Sequence, residues 1–171
     1  MLTPDMRAVL EAARLGFVAT VTPDGRPNLS PKGTIRVWDD THLYFLDIAS
    51  PGTRANLAHA PWMEVNVVDQ LSRRGYRFSG TASLYFQSSD TYEEALGRIY
   101  GDGQRIYPTT AVVLLAIEHA APLFSPAYWT GAGEAALREA WKARRAELDG
   151  AFDAYLAAAG MVGPQGEAGN A

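Results

Sequence analysis

An antiparallel β-barrel with peripheral helices, mainly β with some α (α+β), is the architecture this sequence predicts, and three observations predict it. Short segments such as "FVATVT" and "WMEVNVVD" alternate apolar and polar residues with the period of a strand. Tight turns at "PDG" and Asp39-Asp40 join neighbours as hairpins, without the long helical crossovers that a parallel sheet requires. Finally, 171 residues with 47% apolar and 20% charged composition are enough for one buried core and short for two. A single domain over residues 1–159 is therefore expected, followed by a Gly- and Ala-rich tail from Gly160 that carries no pattern and is expected to be disordered.

The elements follow in order. Thr3 and Pro4 open a helix whose Met6, Val9, Leu10 and Ala13 recur on one face, with Gly16 expected to close it. "FVATVT" turns at "PDG" and returns through "RPNLS". A second hairpin runs out along "KGTIRVW" and back along "HLYFLDIA". "SPGTRANLAHAP" interrupts the sheet: Ser50 is placed to cap a helix, Pro51 suits its first position, and the helix runs to His59. "WMEVNVVD" sets Met63, Val65 and Val67 on one face, and "GYRFSGTASLYF" makes a fifth strand with a bulge or close backbone approach at Gly80. Asp90 with Glu93 has capping-box spacing and opens a helix that stops at Gly101. "TTAVVLLAIEHA" is expected to be a sixth strand, buried on both faces. A long helix follows from "GEAALREAW", with Leu137, Trp141, Leu148, Phe152 and Tyr155 near one stripe, a surface suited to a partner subunit.

Composition narrows the chemistry. Without cysteine there are no disulfides, thiolate metal sites or cysteine nucleophiles. His42, His59 and His119 are too dispersed to show a metal-ligand spacing, and no metal is expected. A net charge of −4 argues against a broad nucleic-acid surface. No run of apolar residues reaches the ~20 of a membrane span, and the N-terminus has a helix's periodicity instead of a signal peptide's layout. A soluble, cytoplasmic protein is expected. "YGDGQR" has no strand leading into it and is explained as a helix exit, while "LSRRGYR" suits a solvated turn between strands.

One positive pocket stands out. If "KGTIRVW" is a continuous strand, Lys32, Thr34 and Arg36 share a face, and Lys32 lies roughly opposite Asp47. That end of the sheet meets the start of the Pro51 helix, where Gly52 allows close approach and Thr53 and Arg54 stand beside unpaired backbone N–H groups. Two cations, a hydroxyl and a helix start are suited to a phosphate group.

From the first helix through "GFVATVTPDGRPNLSPKGTIRVWDDTHLYFLDIASPGTRANLAHAPWMEVNVVD" to "GYRFSGTASL", about Leu10 to Leu84, the chain resembles the pyridoxamine 5′-phosphate oxidase-like family of FMN-binding split barrels. The resemblance implies a six-stranded split β-barrel, a homodimer, and FMN in a groove at the subunit interface. It assigns cofactor binding to Lys32, Gly33, Thr34, Ile35 and Arg36 along the flavin and to Ser50, Thr53 and Arg54 at the phosphate. It implies an FMN-dependent oxidoreductase acting on a small molecule, with the isoalloxazine carrying the redox chemistry and no catalytic side chain assigned. Non-enzymatic binding of FMN or haem, and reduction through a deazaflavin, are the alternatives. The vitamin B6 oxidase proper ends in an arginine- and proline-bearing segment that binds its substrate, whereas this chain has "SPAYWTGAGEAALREAW", so pyridoxamine phosphate is not assigned as substrate. The family's phosphate loop carries paired basic residues; here Arg54 follows Gly52 and Thr53.

Overall fold

The computed structural model describes residues 1–159; the tail from Gly160, expected to be disordered, lies outside the described residues. Met1–Ser125 form one compact unit that contains every described strand, and the chain from Pro126 forms a second unit.

The first unit comprises α1 (Pro4–Ala13), β1 (Gly16–Val21), β2 (Pro27–Lys32), β3 (Arg36–Val37), β4 (His42–Asp47), α2 (Pro51–His59), β5 (Trp62–Asp69), β6 (Arg74–Phe86), α3 (Asp90–Tyr100) and β7 (Ala111–Phe124). All pairings are antiparallel, in the order β2-β1-β5-β6-β7-β4-β3. Because β2 and β3 are the two outermost strands yet only Gly33–Ile35 separate them, the sheet cannot be flat. Four peptide links reach at most about 15 Å, whereas six inter-strand steps would span about 29 Å. The two edges must therefore meet, curling the sheet into a split barrel.

This closure changes two expectations. Seven strands are present among the described residues instead of six, and the expected strand "KGTIRVW" is broken at Gly33 and Thr34, so that Lys32 ends β2 and only Arg36–Val37 remain as β3. The even alternation of Lys32, Thr34 and Arg36 on one face is lost at that break. Thr34 Oγ1 instead accepts the Leu46 backbone N–H at 3.0 Å, a side chain standing in for a ladder bond where the edges join.

Most local elements lie where the sequence places them. Thr3 caps α1 through its side chain, but the helix ends at Arg14 in the left-handed conformation (φ 49°), not at Gly16. Gly16 begins β1, where a Cβ would lie 3.0 Å from Ile35 Cδ1, so its small size serves packing. α2 runs from Pro51 to His59, and Asn56 Nδ2 on its buried face donates to Thr20 Oγ1 of β1 at 2.9 Å. The register between β6 and β7 shifts at Ser79/Gly80, and a Cβ on Gly80 would sit 2.0 Å from the Ala116 carbonyl oxygen. The cap of α3 is Ser89, whose side chain accepts the Tyr92 N–H, and not Asp90.

The core lies inside the curl. Val18, Met63, Val65, Val67, Phe78, Val113 and Leu115 pack there with Val9 and Leu10 of α1 and Leu57 of α2. β4 is buried on both faces: Leu43 and Phe45 enter this core, while Tyr44 and Leu46 join Tyr92, Ala95 and Leu96 of α3 and Val112 in a second cluster. β7 shares that two-sided burial through Leu115 and then becomes exposed, because its outer half pairs with β6 alone. Burial of this kind contributes about 25 cal/mol per Å² of apolar surface.

The second unit holds a 3₁₀ turn, Pro126–Thr130, and α4, Glu134–Ala158. Leu137 of α4 is buried, whereas Leu148, Phe152 and Tyr155 are exposed along one stripe. Among the described residues no helix is long and apolar enough to cross a membrane.

Candidate functional site

Where the sheet's edges meet, an open groove of about 600 Å³ is lined by Ser30, Pro31, Lys32, Gly33, Thr34, Leu46, Ile48, Ala49, Ser50 and Tyr107. Four residues expected from the sequence line it together: Lys32, Gly33, Thr34 and Ser50. Gly33 has open space where a Cβ would project, so backbone is presented directly to the groove.

Lys32 is the unusual group. It is only 6% exposed, its Nζ donates to Ser30 Oγ at 2.8 Å, and it lies 5.5 Å from the centre of the Phe45 ring. Burial pushes its pKa below the ordinary lysine value, against the opposing pull of Asp47. A buried ammonium with one direct hydrogen bond keeps donor capacity for an anion in the groove.

Asp47 organises the phosphate end predicted from the sequence. It closes β4 and is 1% exposed. Its Oδ1 accepts the Ser50 hydroxyl at 2.5 Å and the Ser50 N–H at 3.2 Å, and its Oδ2 accepts from Arg54 at 2.5 Å. Ser50 thus caps α2 by position alone, its hydroxyl being held by Asp47 instead of the helix N–H groups. The Arg54 side chain stays 30% exposed, with one nitrogen on Asp47 and the rest of its five-donor fork available. Thr53 is buried at 3% and does not line the groove.

Ile35 and Arg36 lie elsewhere. Ile35 is 1% exposed and belongs to the core. Arg36 donates to the Ile35 carbonyl at 2.7 Å and lines a different depression, with Glu11, Arg14, Val37, Tyr44, Arg98 and Ile99. The break at Gly33 and Thr34 turns them away from the alternation.

Sequence reasoning missed Asp47 as an organiser and Tyr107 as a groove residue. Asp47 was legible as a strand end roughly opposite Lys32, but not as the partner of Ser50 and Arg54. Tyr107 is a half-exposed aromatic in the loop between α3 and β7, placed by the closure of distant elements. Of the other candidates, "LSRRGYR" is tied to α1 instead of being a purely solvated turn: Arg74 grips Asp5 with two nitrogens at 2.8 and 3.0 Å, and the Tyr76 hydroxyl donates to the same carboxylate. Gly101 ends α3 with φ 55°, the helix exit expected of "YGDGQR". His42 Nδ1 pairs with Asp39, while His59 and His119 are exposed, and none of the three lines the groove.

A curled antiparallel sheet whose two edges meet at a groove lined by a buried lysine defines a split-barrel protein. The family model described as Pyridoxamine 5'-phosphate oxidase matches residues 2–124, and the chain belongs to that family. The match reaches well beyond the Leu10–Leu84 stretch that carries the resemblance and stops just before the second unit. The crystal structure of HupZ from Group A Streptococcus is 31% identical, covers 73% of this chain and 96% of its own, and superposes with a TM-score of 0.64. An FMN-binding protein from Syntrophomonas wolfei (17% identity; 69% and 88% coverage; TM-score 0.56) shares the fold. So does HutZ, the haem storage protein from Vibrio cholerae (16% identity; 72% and 94% coverage; TM-score 0.55). A search of curated protein sequences returned no match.

Proposed function

We propose that the groove binds FMN and that the protein is a cytoplasmic, homodimeric FMN-dependent oxidoreductase acting on a small molecule. The observation that carries this reading is Lys32: a buried cation with a single direct hydrogen bond, facing a groove whose volume suits a mononucleotide cofactor. The ring would lie along Lys32–Thr34, with Lys32 toward the flavin's N1 and C2 carbonyl, where negative charge resides after reduction. The phosphate would lie toward Ser50 and the remaining donors of Arg54, which Asp47 already orients. Tyr107 supplies an aromatic face for the ring. When bound, FMN supplies hydride or electron transfer; the chain binds it, orients it and favours its anionic form. The exposed stripe of Leu148, Phe152 and Tyr155 supports a dimer.

The test is the absorption spectrum of protein purified without added cofactor, followed by anaerobic titration with NAD(P)H. Flavin bands that bleach and recover on admitting a substrate or oxygen are expected. Flavin bands that no donor bleaches would leave a carrier and remove the enzyme. A haem Soret band or a deazaflavin spectrum would displace FMN altogether.

A further inference from the structure

The helix α4 carries a surface that the barrel does not account for. It lies beyond residue 124, where the family match ends. Its 25 residues extend roughly 38 Å at 1.5 Å per residue. Leu148, Phe152 and Tyr155 recur at i, i+4 and i+7 and so share one face, exposed by 48%, 59% and 63%. Large apolar side chains grouped in this way cost free energy in water until another surface covers them.

The charges of α4 divide near its middle. Residues 134–146 hold Arg138, Lys142, Arg144 and Arg145 against Glu134 and Glu139, whereas residues 147–158 hold Glu147, Asp149 and Asp153 and no base. This division does not serve the helix itself. A helix dipole favours cations in the last turn, and that turn has none. Arg145 reaches Asp149 at 2.8 Å with the cation on the N-terminal side, the weaker order for an i,i+4 pair. Arg144 reaches Glu147 at 2.9 Å. All four of these side chains are more than half exposed, so they keep donor and acceptor capacity for a facing surface.

We infer that α4 is an interface for a second copy of this chain, the two helices packing antiparallel about a two-fold axis near Leu148. Antiparallel packing sets the basic half of each helix against the acidic half of the other, twice over, whereas a parallel pair sets like against like. Arg144 and Arg145 flank the stripe one turn before Leu148, so the same arrangement brings guanidinium groups toward the Phe152 and Tyr155 rings of the other copy. A second copy thus supplies both signs of charge and an equal apolar stripe. Three large side chains per helix are less than the surface that a stable dimer buries on its own. The contact therefore specifies one part of the homodimer proposed above; it rests on that reading for the dimer and is independent of the cofactor.

Because the chain contains no cysteine, a single introduced thiol reports the packing in the full-length protein. Leu148→Cys stands at the axis and Gly150→Cys on the opposite side of the helix, where a side chain has open space. With diamide as oxidant, Leu148→Cys should form the intermolecular disulfide at least about tenfold faster, since held thiols meet at an effective concentration on the order of millimolar and colliding chains at micromolar. Ala158→Cys should be as slow as Gly150→Cys, because ten residues from the axis on each copy place the two thiols about 30 Å apart. Equal rates at Leu148 and Gly150 would overturn the assignment of the face, and rapid cross-linking at Ala158 would overturn the antiparallel arrangement. Light scattering of the unmodified protein separates this inference from the dimer itself. A dimer in which Leu148→Cys does not cross-link overturns the α4 contact alone, whereas a monomer overturns the homodimer and the contact together.

Discussion

Replacing Lys32 by methionine removes the ammonium, which lies 5.5 Å from the centre of the Phe45 ring, and keeps an unbranched apolar side chain. The folded protein holds that ammonium at 6% exposure with one hydrogen bond to Ser30, so in the empty protein the charge is a net cost. The sign follows from its pKa, which burial depresses below 10.5. The unfolded chain then binds the proton more tightly, so the destabilisation is fully present below the folded pKa and is relieved as pH rises toward 10.5. Lys32→Met should make the empty protein at least as stable at neutral pH and remove this alkaline rise. With FMN bound as proposed, the balance should reverse. Loss of a hydrogen bond from a charged donor should weaken FMN by about 1.5–3 kcal/mol, or roughly 10–100-fold. If the contact strengthens on reduction, the two-electron potential should fall by about 30–60 mV, since 30 mV corresponds to about 1.4 kcal/mol. Urea unfolding across pH, flavin-fluorescence titration and dye equilibration measure the three effects. Unchanged affinity and potential, or an empty protein destabilised by several kcal/mol, would refute the role given to Lys32.

Arg54→Ala should weaken FMN by about 1.5–3 kcal/mol and, by stripping the buried Asp47 of its cation, also destabilise the fold by about 1–3 kcal/mol. Titration of the folded variant separates the two, and unchanged affinity removes Arg54 from the phosphate end. Gly80→Ala places a methyl group 2.0 Å from the Ala116 carbonyl oxygen and should cost at least about 2 kcal/mol in denaturant unfolding. A wild-type midpoint would show that the β6–β7 register relaxes freely. The exposed Leu148 and Phe152 predict a dimer by light scattering at micromolar concentration, with the Leu148→Glu, Phe152→Glu variant shifted toward monomer. A monomeric wild type would remove α4 as an interface.

The sequence by itself determined the local pieces. Strand periodicity placed β5 at Trp62–Asp69, Pro51 placed the start of α2, and Gly80 marked the close approach later seen against Ala116. Each depends on neighbours within a turn or on the sterics of one residue, so it is written where it acts. Closure is different. Only the tertiary structure decided that Gly33 and Thr34 would break a strand so that the two sheet edges could meet. That break set Arg36 in a second depression, left Lys32 in the groove, and let Tyr107 arrive from a loop far along the chain. The commitment of Ser50 and Arg54 to Asp47 was equally hidden, because a side chain's partners are settled by which distant surfaces exclude water together, and no local pattern records that.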